Sequence, residues 1–491
     1  MNKKNVVFIV SIVLLGFIVL WGAFLPASFQ AAVDGSFAFI TAWFTEYYIL
    51  VMSSFVVFSF FLLFSKYGKI KLGKDDSKPE FSFISWFAML FSAGMGIGLV
   101  FWGVAEPLNY YLSPISSVDP ISQESIRFAF QKSFLHWGLH PWAGYVVIGG
   151  SLAYFQYRKD KPGLISSLLI PIIGDERASG PIGNVVDVIA IFATVAGVAT
   201  SLGLGAYQIN SGLNYLFGIP ENNMVVAIIV IVTTCMFILS AVSGLDKGIK
   251  ILSNTNVILA FIIMVLTMIV GPTVLIFKNL FVGMFDYIVN LIPDMLPLNV
   301  EENRSFLSSW TVFYWAWWIA WAPFVGSFIA RISKGRTIKE FVIGVLFAPL
   351  LASVIWFAVF GTVGINLGPD VAAEAVANTS TAVFVTMSHY SLGAIISGLT
   401  IILLCTFFVT SADSGTFVLG IFSSNGDLNP TISRKVLWGV IITAVTLVLM
   451  FASDSGLQNV QTASIVAALP FSFVMIFAMI SFIKALLQEK V

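Results

Sequence analysis

The sequence predicts an all-α membrane protein with twelve transmembrane helices, and three observations lead to this fold class. Hydrophobic residues make up 58% of the 491 positions and charged residues only 10%, against about 25% charged residues in soluble domains. The apolar residues come in blocks of about 20, the length that crosses a bilayer as a helix. The basic residues between these blocks are distributed unequally. An ordinary soluble enzyme is therefore excluded, and equal numbers of basic and acidic residues, 25 each, give no support to nucleic-acid binding.

The apolar blocks are expected to be helices because backbone N–H and C=O groups in hydrocarbon must be bonded within the segment, whereas a β-barrel would show short alternating segments. The first block follows Lys3 and Lys4 and carries no small-residue cleavage site, so we interpret it as a retained span and not as a signal peptide. The predicted spans are 6–26, 46–65, 82–105, 134–157, 184–210, 224–243, 251–277, 307–331, 338–364, 383–411, 434–452 and 462–485.

The loops between the spans alternate in basic content. If the N-terminus is cytoplasmic, the inner segments hold 21 of the 25 Lys and Arg residues, and the outer segments hold Arg127, Lys132, Lys278 and Arg304. This asymmetry follows the positive-inside rule, and a miscounted helix would invert it downstream of the error. We therefore predict twelve spans with both termini cytoplasmic.

The segment 279–296, between spans seven and eight, is too polar to cross the bilayer and too apolar for a free loop. We predict an amphipathic helix that lies in the outer interface. The alternative is an ordinary loop helix packed on the protein. We expect no further domain at either end of the chain.

The predicted membrane interior is poor in charge. Asp187 and Asp413 lie near span ends, Glu106 follows span three, and the centres of the spans carry no charge. Charged residues inside a membrane are usually functional, so a proton-driven mechanism with a buried carboxylate relay has little support. Cys235 and Cys405 both fall in apolar blocks, and no disulfide framework is predicted.

Span three carries glycine at every second position, at Gly94, Gly96 and Gly98. Glycine costs about 1 kcal/mol relative to alanine in a helix interior, and three so close favour unwinding in the middle of the membrane. Irregular backbone there must be buried or line a cavity, and discontinuous helices commonly form the binding sites of transporters. The alternative is a seam of small residues between packed helices.

Aromatic residues repeat along two spans. The set on span four comprises Trp137, Trp142 and Tyr145, and the set on span eight comprises Trp315, Trp318 and Trp321. At 100° per residue each set fits one face of its helix. Interfacial tryptophan belts are the alternative, but indole faces inside a bundle attract cations, above all quaternary ammonium groups. A permanent cation held in this way needs no carboxylate partner, which agrees with the charge-poor interior.

Hydroxyl residues supply a second kind of candidate site. The pattern TSxxxG occurs at Thr200–Gly205 in span five and at Thr410–Gly415 in span ten. These spans are third in two sets of five, spans three to seven and eight to twelve, the parity expected of an inverted repeat. Hydroxyl and carbonyl oxygens suit Na⁺, although such side chains commonly bond to carbonyls of their own helix.

His136 and His140 are four residues apart, a spacing that can bind zinc on one helix. No HExxH motif and no third ligand lie nearby, so structural hydrogen bonding is favoured, and His389 is solitary. No Walker A loop and no catalytic grouping are visible in the sequence.

These motifs resemble the betaine/choline/carnitine transporter (BCCT) family, closest to its sodium-coupled glycine betaine transporters. The matching stretches are AGMGIGLVFWGVAEPL, HWGLHPWAGY, SLGLGAYQI, YWAWWIAWAPFVGSFIARISKGRTIKEF and VTSADSGTF. The resemblance implies a LeuT-type fold, in which two additional N-terminal helices precede a 5+5 inverted repeat, and a homotrimer. The implied divisions are 1–81 for the two peripheral helices and a basic loop, 82–277 for the first repeat, 278–306 for the connecting helix, 307–485 for the second repeat and 486–491 for a short tail.

The resemblance also implies a substrate site. By matching position, Trp137, Trp142, Tyr145 and Trp318 correspond to an aromatic box around a trimethylammonium group, with Trp321 as a neighbouring aromatic on the inward path. The freed backbone at Gly94, Met95 and Gly96 would face the substrate carboxylate.

Two sodium sites are implied in the same way. The first would use Ser92, Met95, Phe407, Thr410 and Ser411, and the second would use Thr194, Tyr145 and Phe324. Sodium-coupled relatives carry another Thr one turn after Thr194, where this chain has Val198. The second site therefore stays open, with Thr200 as an alternative oxygen donor.

The function implied is sodium-coupled symport of glycine betaine across a bacterial inner membrane for osmoprotection, by alternating access, without enzymatic activity and with Na⁺ as coupling ion in place of any cofactor. Proton-coupled choline relatives tend to carry Asp at the position of Gly98, and carnitine exchangers tend to replace sodium ligands by Met or Arg. Neither change is present at Gly98, Thr410 or Ser411. The alternatives are proton-coupled choline or carnitine uptake and, in another class, a betaine-binding sensor, which would need an output domain.

Overall fold

The structure is a computed structural model that describes residues 5–93, 96–243 and 246–490. Within these ranges the chain is helical, and the only β pairing is a single antiparallel bridge between Lys71 and Thr337. The helices are α1 (Val6–Phe24), α2 (Pro26–Trp43), α3 (Thr45–Phe64), α4 (Phe83–Ala93), α5 (Ile97–Leu112), α6 (Gln123–Trp137), α7 (Leu139–Ala153), α8 (Ile170–Ile173), α9 (Asp175–Ala178), α10 (Pro181–Phe217), α11 (Asn223–Ser243), α12 (Asp246–Val270), α13 (Thr273–Met295), α14 (Val300–Phe306), α15 (Val312–Ile332), α16 (Ile338–Ile365), α17 (Pro369–Ala377), α18 (Ala382–Ser388), α19 (Gly393–Ser423), α20 (Ile432–Phe451) and α21 (Gly456–Leu486).

The helix lengths confirm the predicted fold class. Within the described ranges, eleven helical segments are long and apolar enough to cross a membrane, one of them running through α14 and α15, and α4 with α5 makes a twelfth if the bent pair counts as one span. The membership differs from the prediction, because α13 passes this test and the segment predicted as span four does not. The placement of α13 in the outer interface and the inverted repeat stay predictions.

Span four is divided, so the single helix predicted over 134–157 is wrong. α6 ends at Trp137 and α7 begins at Leu139, with Gly138 between them in a non-helical conformation (φ −94°, ψ −128°). A Cβ on Gly138 would lie 2.7 Å from the hydroxyl oxygen of Tyr287, and that oxygen accepts a hydrogen bond from the Leu139 N–H at 3.0 Å. Pro141 fits the first turn of α7, where N–H groups have no partner within the helix.

Other boundaries also shift. Span ten, predicted over 383–411, consists of α18 and the longer α19, because a tight turn precedes Gly393, whose Cβ would lie only 1.8 Å from the Met387 carbonyl oxygen. The connecting helix α13 begins at Thr273, six residues before the predicted start. The helices α2 and α17 were not predicted, because each lies between apolar blocks of spanning length.

The centre of the molecule is the contact between α7 and α15, which pack along each other. Gly149 of α7 and Gly326 of α15 allow the close approach, since a Cβ on Gly326 would lie 2.6 Å from the Ile148 side chain and 3.1 Å from the Gly149 nitrogen. Around this pair stand α3, α16, α21 and α10, and α10 also packs on α19. α5 and α6 pack on each other and on α16, which brings the broken span three against the broken span four.

On the predicted inner face, the end of the chain is bound by basic residues. Arg158 donates two hydrogen bonds to the Glu489 carboxylate, at 3.0 and 2.8 Å. Lys159 Nζ lies 2.7 Å from the same carboxylate, and the Tyr154 hydroxyl donates to it at 2.7 Å. The Arg158 guanidinium in particular holds the pKa of Glu489 well below its ordinary 4.5, at about 2. These contacts attach residues after α21 to the segment after α7.

These contacts of Glu489 predict that the stability of the folded protein depends on pH. Because the pKa of Glu489 is depressed in the folded protein, the ion pairs stabilise it above about pH 4.5, and this contribution is lost as the pH falls towards 2. We expect Glu489→Gln to lower the thermal unfolding midpoint in detergent at pH 7 by a few degrees, and this difference to narrow below pH 4.5. Glu176→Gln, at an exposed position of the same predicted face, is the control. A deficit of equal size at pH 7 and pH 3 would contradict the assignment.

Candidate functional site

Two of the predicted aromatic residues meet in the core. The ring of Trp137, at the end of α6, packs edge-on against the ring of Trp318 of α15, with centroids 4.8 Å apart and an interplanar angle of 77°. Trp317 stacks on Trp318 at 5.0 Å, and Tyr314 stacks on the same ring at 6.3 Å. Trp318 is half-buried and the other three are buried. These four rings are called the aromatic cluster below.

The other members of the predicted box form a separate pair. Trp142 and Tyr145 lie on α7 with their rings 5.2 Å apart and nearly perpendicular, and they are 5% and 2% exposed. The expectation that they share one helix face with Trp137 is wrong, because the break at Gly138 places Trp137 on a different helix. Their role in a common box stays a prediction.

The predicted tryptophan stripe on span eight is divided among three neighbours. Trp315 stacks on the imidazole of His140 at 4.8 Å. The Trp321 indole N–H donates to the Gly197 carbonyl of α10 at 2.8 Å, and its ring contacts Phe324 at 5.4 Å. Of the three, Trp318 alone packs on Trp137 among the described ring contacts. Trp321 thus lies beside a residue of the predicted second sodium site.

The contact between Trp137 and Trp318 has a consequence for cation binding. A cation bound to an aromatic face lies within about 6 Å of the ring centroid and needs that face free. Ring centroids 4.8 Å apart leave no room for a trimethylammonium group between them. Binding a cation between these two rings therefore requires them to separate.

The predicted break in span three is confirmed, and it lies beside the aromatic cluster. α4 and α5 are separate helices whose axes are bent by 59°, and Gly96 precedes α5 in an extended conformation. Gly94 and Met95 lie outside the described residues. Gly98, in the first turn of α5, faces the cluster directly, since a Cβ there would lie 2.4 Å from Trp317 Cη2 and 3.1 Å from Trp137 Cη2.

A buried carboxylate stands behind the aromatic cluster. Glu106 is fully buried, and its Oε2 accepts hydrogen bonds from the Trp137 indole N–H at 2.8 Å and from the Tyr314 hydroxyl at 2.6 Å. Glu106 was expected to follow span three, but α5 continues to Leu112. The expectation that Glu106 lies beyond the end of span three is therefore wrong. The apolar residues after Pro107 could have indicated the longer helix.

His136 connects this carboxylate to a second part of the site. Its Nδ1 lies 3.0 Å from Glu106 Oε1 and its Nε2 lies 3.0 Å from Thr311 Oγ1, which confirms the predicted structural hydrogen bonding. His140 differs, because neither ring nitrogen has a hydrogen-bond partner among the described residues. In the described ranges no group of three or more His, Cys, Asp or Glu residues could hold a metal ion.

The structure describes four of the five residues of the first predicted sodium site, all except Met95. The Thr410 hydroxyl donates to carbonyls of its own helix, Thr406 at 3.1 Å and Phe407 at 3.2 Å, and accepts from the Asn256 amide of α12 at 3.2 Å. Ser411 is the next residue of α19. Ser92 is half-buried on α4, without a hydrogen bond to α19 among the described residues. The ligand set as a whole stays a prediction.

In the second predicted sodium site the hydroxyl of Thr194 is already bonded, and so is that of the alternative donor, Thr200. Thr194 donates to the Ala190 carbonyl at 2.8 Å. Val198 faces Gly415 of α19, whose Cβ would lie 3.2 Å from a Val198 methyl group. The Thr200 hydroxyl bonds to Ser464 of α21 at 2.8 Å and to backbone carbonyls. Thr200 is therefore directed towards α21, and the structure does not support it as a replacement ligand.

Comparison with known proteins decides the family. Residues 6–491 match the family model described as BCCT, betaine/carnitine/choline family transporter. The protein belongs to the BCCT family. It is 51% identical over 475 residues to the glycine betaine transporter OpuD of Bacillus subtilis, covering 96% of this chain and 92% of that protein. It is 44% identical to the ectoine/hydroxyectoine transporter of Virgibacillus pantothenticus and 43% to a probable glycine betaine transporter of Desulfitobacterium hafniense, in each case over 99% of this chain and 98% of the relative.

Family membership makes this chain a multi-pass membrane transporter and not an enzyme. Sequence reasoning missed three residues of the BCCT protein's aromatic region, Tyr314, Trp317 and Glu106. Trp317 lies 100° around the helix from Trp318 and so falls outside a stripe drawn through one face. The run WAWW was the available signal, because its three tryptophans, at positions 315, 317 and 318, cannot all face the same side of one helix.

The close contact at Gly98 predicts a steric effect. We expect Gly98→Ala in this BCCT protein to lower the thermal unfolding midpoint and to change tryptophan fluorescence, because a methyl group 2.4 Å from Trp317 must displace the indole. Overpacking of this kind costs about 1–3 kcal/mol. Gly144→Ala on α7 is the control, since its Cβ would meet neighbours at ordinary distances of 3.6 and 3.7 Å. Equal midpoints for the two variants would refute the steric reading.

Proposed function

We propose that this BCCT transporter carries glycine betaine into the cell by sodium-coupled symport, through alternating access, as an osmoprotectant. The observation that carries the proposal is the aromatic cluster, with Trp137 and Trp318 in contact beside the broken span three. Indole faces in a buried setting suit a trimethylammonium group, which cannot donate hydrogen bonds. The relatives named for glycine betaine, at 51% and 43% identity, support the same substrate.

A second substrate has a specific observation in its favour. A relative at 44% identity is named as an ectoine/hydroxyectoine transporter. Glycine betaine and ectoine are both zwitterions with a carboxylate. The cation of glycine betaine is a permanent quaternary ammonium group, and that of ectoine is delocalised. The ring cluster favours the cation without hydrogen-bond donors, so glycine betaine is the primary candidate.

In the proposed cycle, sodium binds at Thr410 and Ser411, together with Ser92, Met95 and the Phe407 carbonyl, and stabilises the outward-open form. Glycine betaine then binds with its cation among Trp137, Trp142, Tyr145 and Trp318 and its carboxylate towards Gly94–Gly96. The contact between Trp137 and Trp318 opens to admit the cation. The bundle then rocks to the inward-open form, from which the substrate leaves past Trp321. A second sodium ion at Thr194, Tyr145 and Phe324 is an optional addition to this scheme, because the side chain of Val198 has no oxygen to serve as a ligand.

The setting of this cycle is also proposed. The chain would lie in a bacterial inner membrane with both termini cytoplasmic, as a homotrimer of protomers built from two inverted repeats. The excess of Lys and Arg in the predicted inner loops supports this orientation.

Sodium coupling is tested by uptake of labelled glycine betaine into proteoliposomes. We expect accumulation with an inward sodium gradient and none when potassium replaces sodium on both sides. A proton gradient without sodium, with choline as substrate, tests the alternative of proton-coupled choline uptake. Equal uptake in sodium and in potassium would overturn the coupling.

The assignment of the rings is tested by measuring the uptake of glycine betaine, and of ectoine as a second substrate, by the variant Trp318→Ala. We expect this change to abolish measurable betaine uptake because it removes the ring that contacts Trp137, while the protein still folds. Trp43→Ala, on the exposed surface of α2 (74% exposed), is the matched control and should leave uptake unchanged. Betaine affinity at the wild-type level in Trp318→Ala would remove the ring from the binding site.

A further inference from the structure

We propose that Glu106 is the positioning residue of the aromatic cluster. It fixes the indole of Trp137 directly and that of Trp318 through His136, and it places a negative charge behind the rings that bind the cation. This inference rests on the proposed function, because it takes the rings to be the binding surface.

Glu106 is connected to Trp137 directly, by the hydrogen bond between Trp137 Nε1 and Glu106 Oε2, which is 2.8 Å long and buried from solvent. An indole attached through two rotatable bonds can turn its face away from a ligand. One hydrogen bond from its only polar atom to a fixed acceptor removes that freedom. The Tyr314 hydroxyl donates to the same oxygen at 2.6 Å, which fixes the acceptor in turn.

Glu106 is connected to Trp318 indirectly, through His136. Its imidazole Nδ1 lies 3.0 Å from the other carboxylate oxygen, and its Nε2 bonds to Thr311, so the ring is held at both nitrogens. The backbone carbonyl of the same residue accepts the Trp318 indole N–H at 2.8 Å. Both rings of the closest contact within the aromatic cluster are therefore oriented from one carboxylate, across α5, α6 and α15.

The charge of Glu106 acts in the same direction as the rings. A carboxylate beside the indole N–H increases the negative potential of the ring face, and a cation on that face is attracted to both. Among the described residues no Lys or Arg pairs with Glu106, and its one basic contact is His136. The low dielectric of a buried site makes such an interaction stronger than at a surface.

The central test is Glu106→Gln, measured as the KM and Vmax of sodium-driven betaine uptake per folded molecule. Glutamine keeps the shape, its carbonyl can accept from Trp137 and Tyr314, and its amide can donate to His136, so the change removes the charge with little loss of bonding. We expect the KM to rise about tenfold or more with monodisperse protein retained. Glu124→Gln, exposed on α6, should leave the KM unchanged. A wild-type KM in Glu106→Gln would overturn the inference.

Coupling to Trp137 is tested by a double-mutant cycle with Trp137→Phe, which keeps an aromatic ring and removes the N–H. We expect Glu106→Gln and Trp137→Phe to be non-additive in KM, because the first removes the charge of the acceptor and the second removes the N–H that is bonded to it. Additive effects would mean that Glu106 acts by another route and would overturn the positioning role. Tyr314→Phe removes a donor but leaves the charge, so it should raise the KM less than Glu106→Gln; an equal rise would overturn the part assigned to charge.

Three further outcomes complete the test, and the last two distinguish a failure of the inference from a failure of the proposed function. If Glu106→Gln does not fold, Glu106→Asp keeps the charge but withdraws the carboxylate from Trp137, and an unchanged KM in that variant would refute the positioning role. If Trp318→Ala retains wild-type betaine affinity, the proposed binding surface fails, whatever Glu106 does. If Trp318→Ala loses binding while Glu106→Gln does not change the KM, the inference alone fails.

Discussion

Backbone groups inside a membrane must find partners within the protein, and this constraint governs where the helices of this protein can break. The break at Gly138 lies against α13, where the Tyr287 hydroxyl accepts the Leu139 N–H. The break in span three precedes α5, whose first turn packs on Trp317 and Trp137. The interruption at Gly138 is therefore covered by another helix, as irregular backbone at membrane depth requires. The proximity of the two breaks brings α5, α6 and α15 together around one group of rings.

The aromatic cluster depends on a polar network that its composition does not suggest. A charge-poor interior with stacked indoles reads as a purely aromatic cation site, yet Glu106 and His136 lie immediately behind the rings with each of their side-chain polar groups bonded. A buried carboxylate is costly unless it is hydrogen-bonded. Three bonds from tryptophan, tyrosine and histidine meet that cost here, and the same bonds set the direction of the indoles.

The hydroxyl residues illustrate the limit of motif reading. Thr200 and Thr410 occupy equivalent places in the two TSxxxG motifs, but Thr200 bonds to Ser464 of α21 and Thr410 to Asn256 of α12. The motifs are visible in the sequence, but the partners of their hydroxyls were not predictable, because they come from helices more than 150 positions away in the chain. Asn256 carried no local signal at all. The aromatic residues behaved similarly: their helices were predicted, and their pairings were not.

The sequence by itself determined the all-helical membrane fold, the position of the break in span three and the family, because these depend on local composition, glycine spacing and contiguous motifs. Only the tertiary structure decided that span four is two helices, that Trp317 joins Trp318 and Trp137, and that Glu106 is buried in α5. Those outcomes depend on which helix faces meet and which polar atoms share a dry interior. A one-dimensional pattern records the period of a helix but not the neighbour that each face finds.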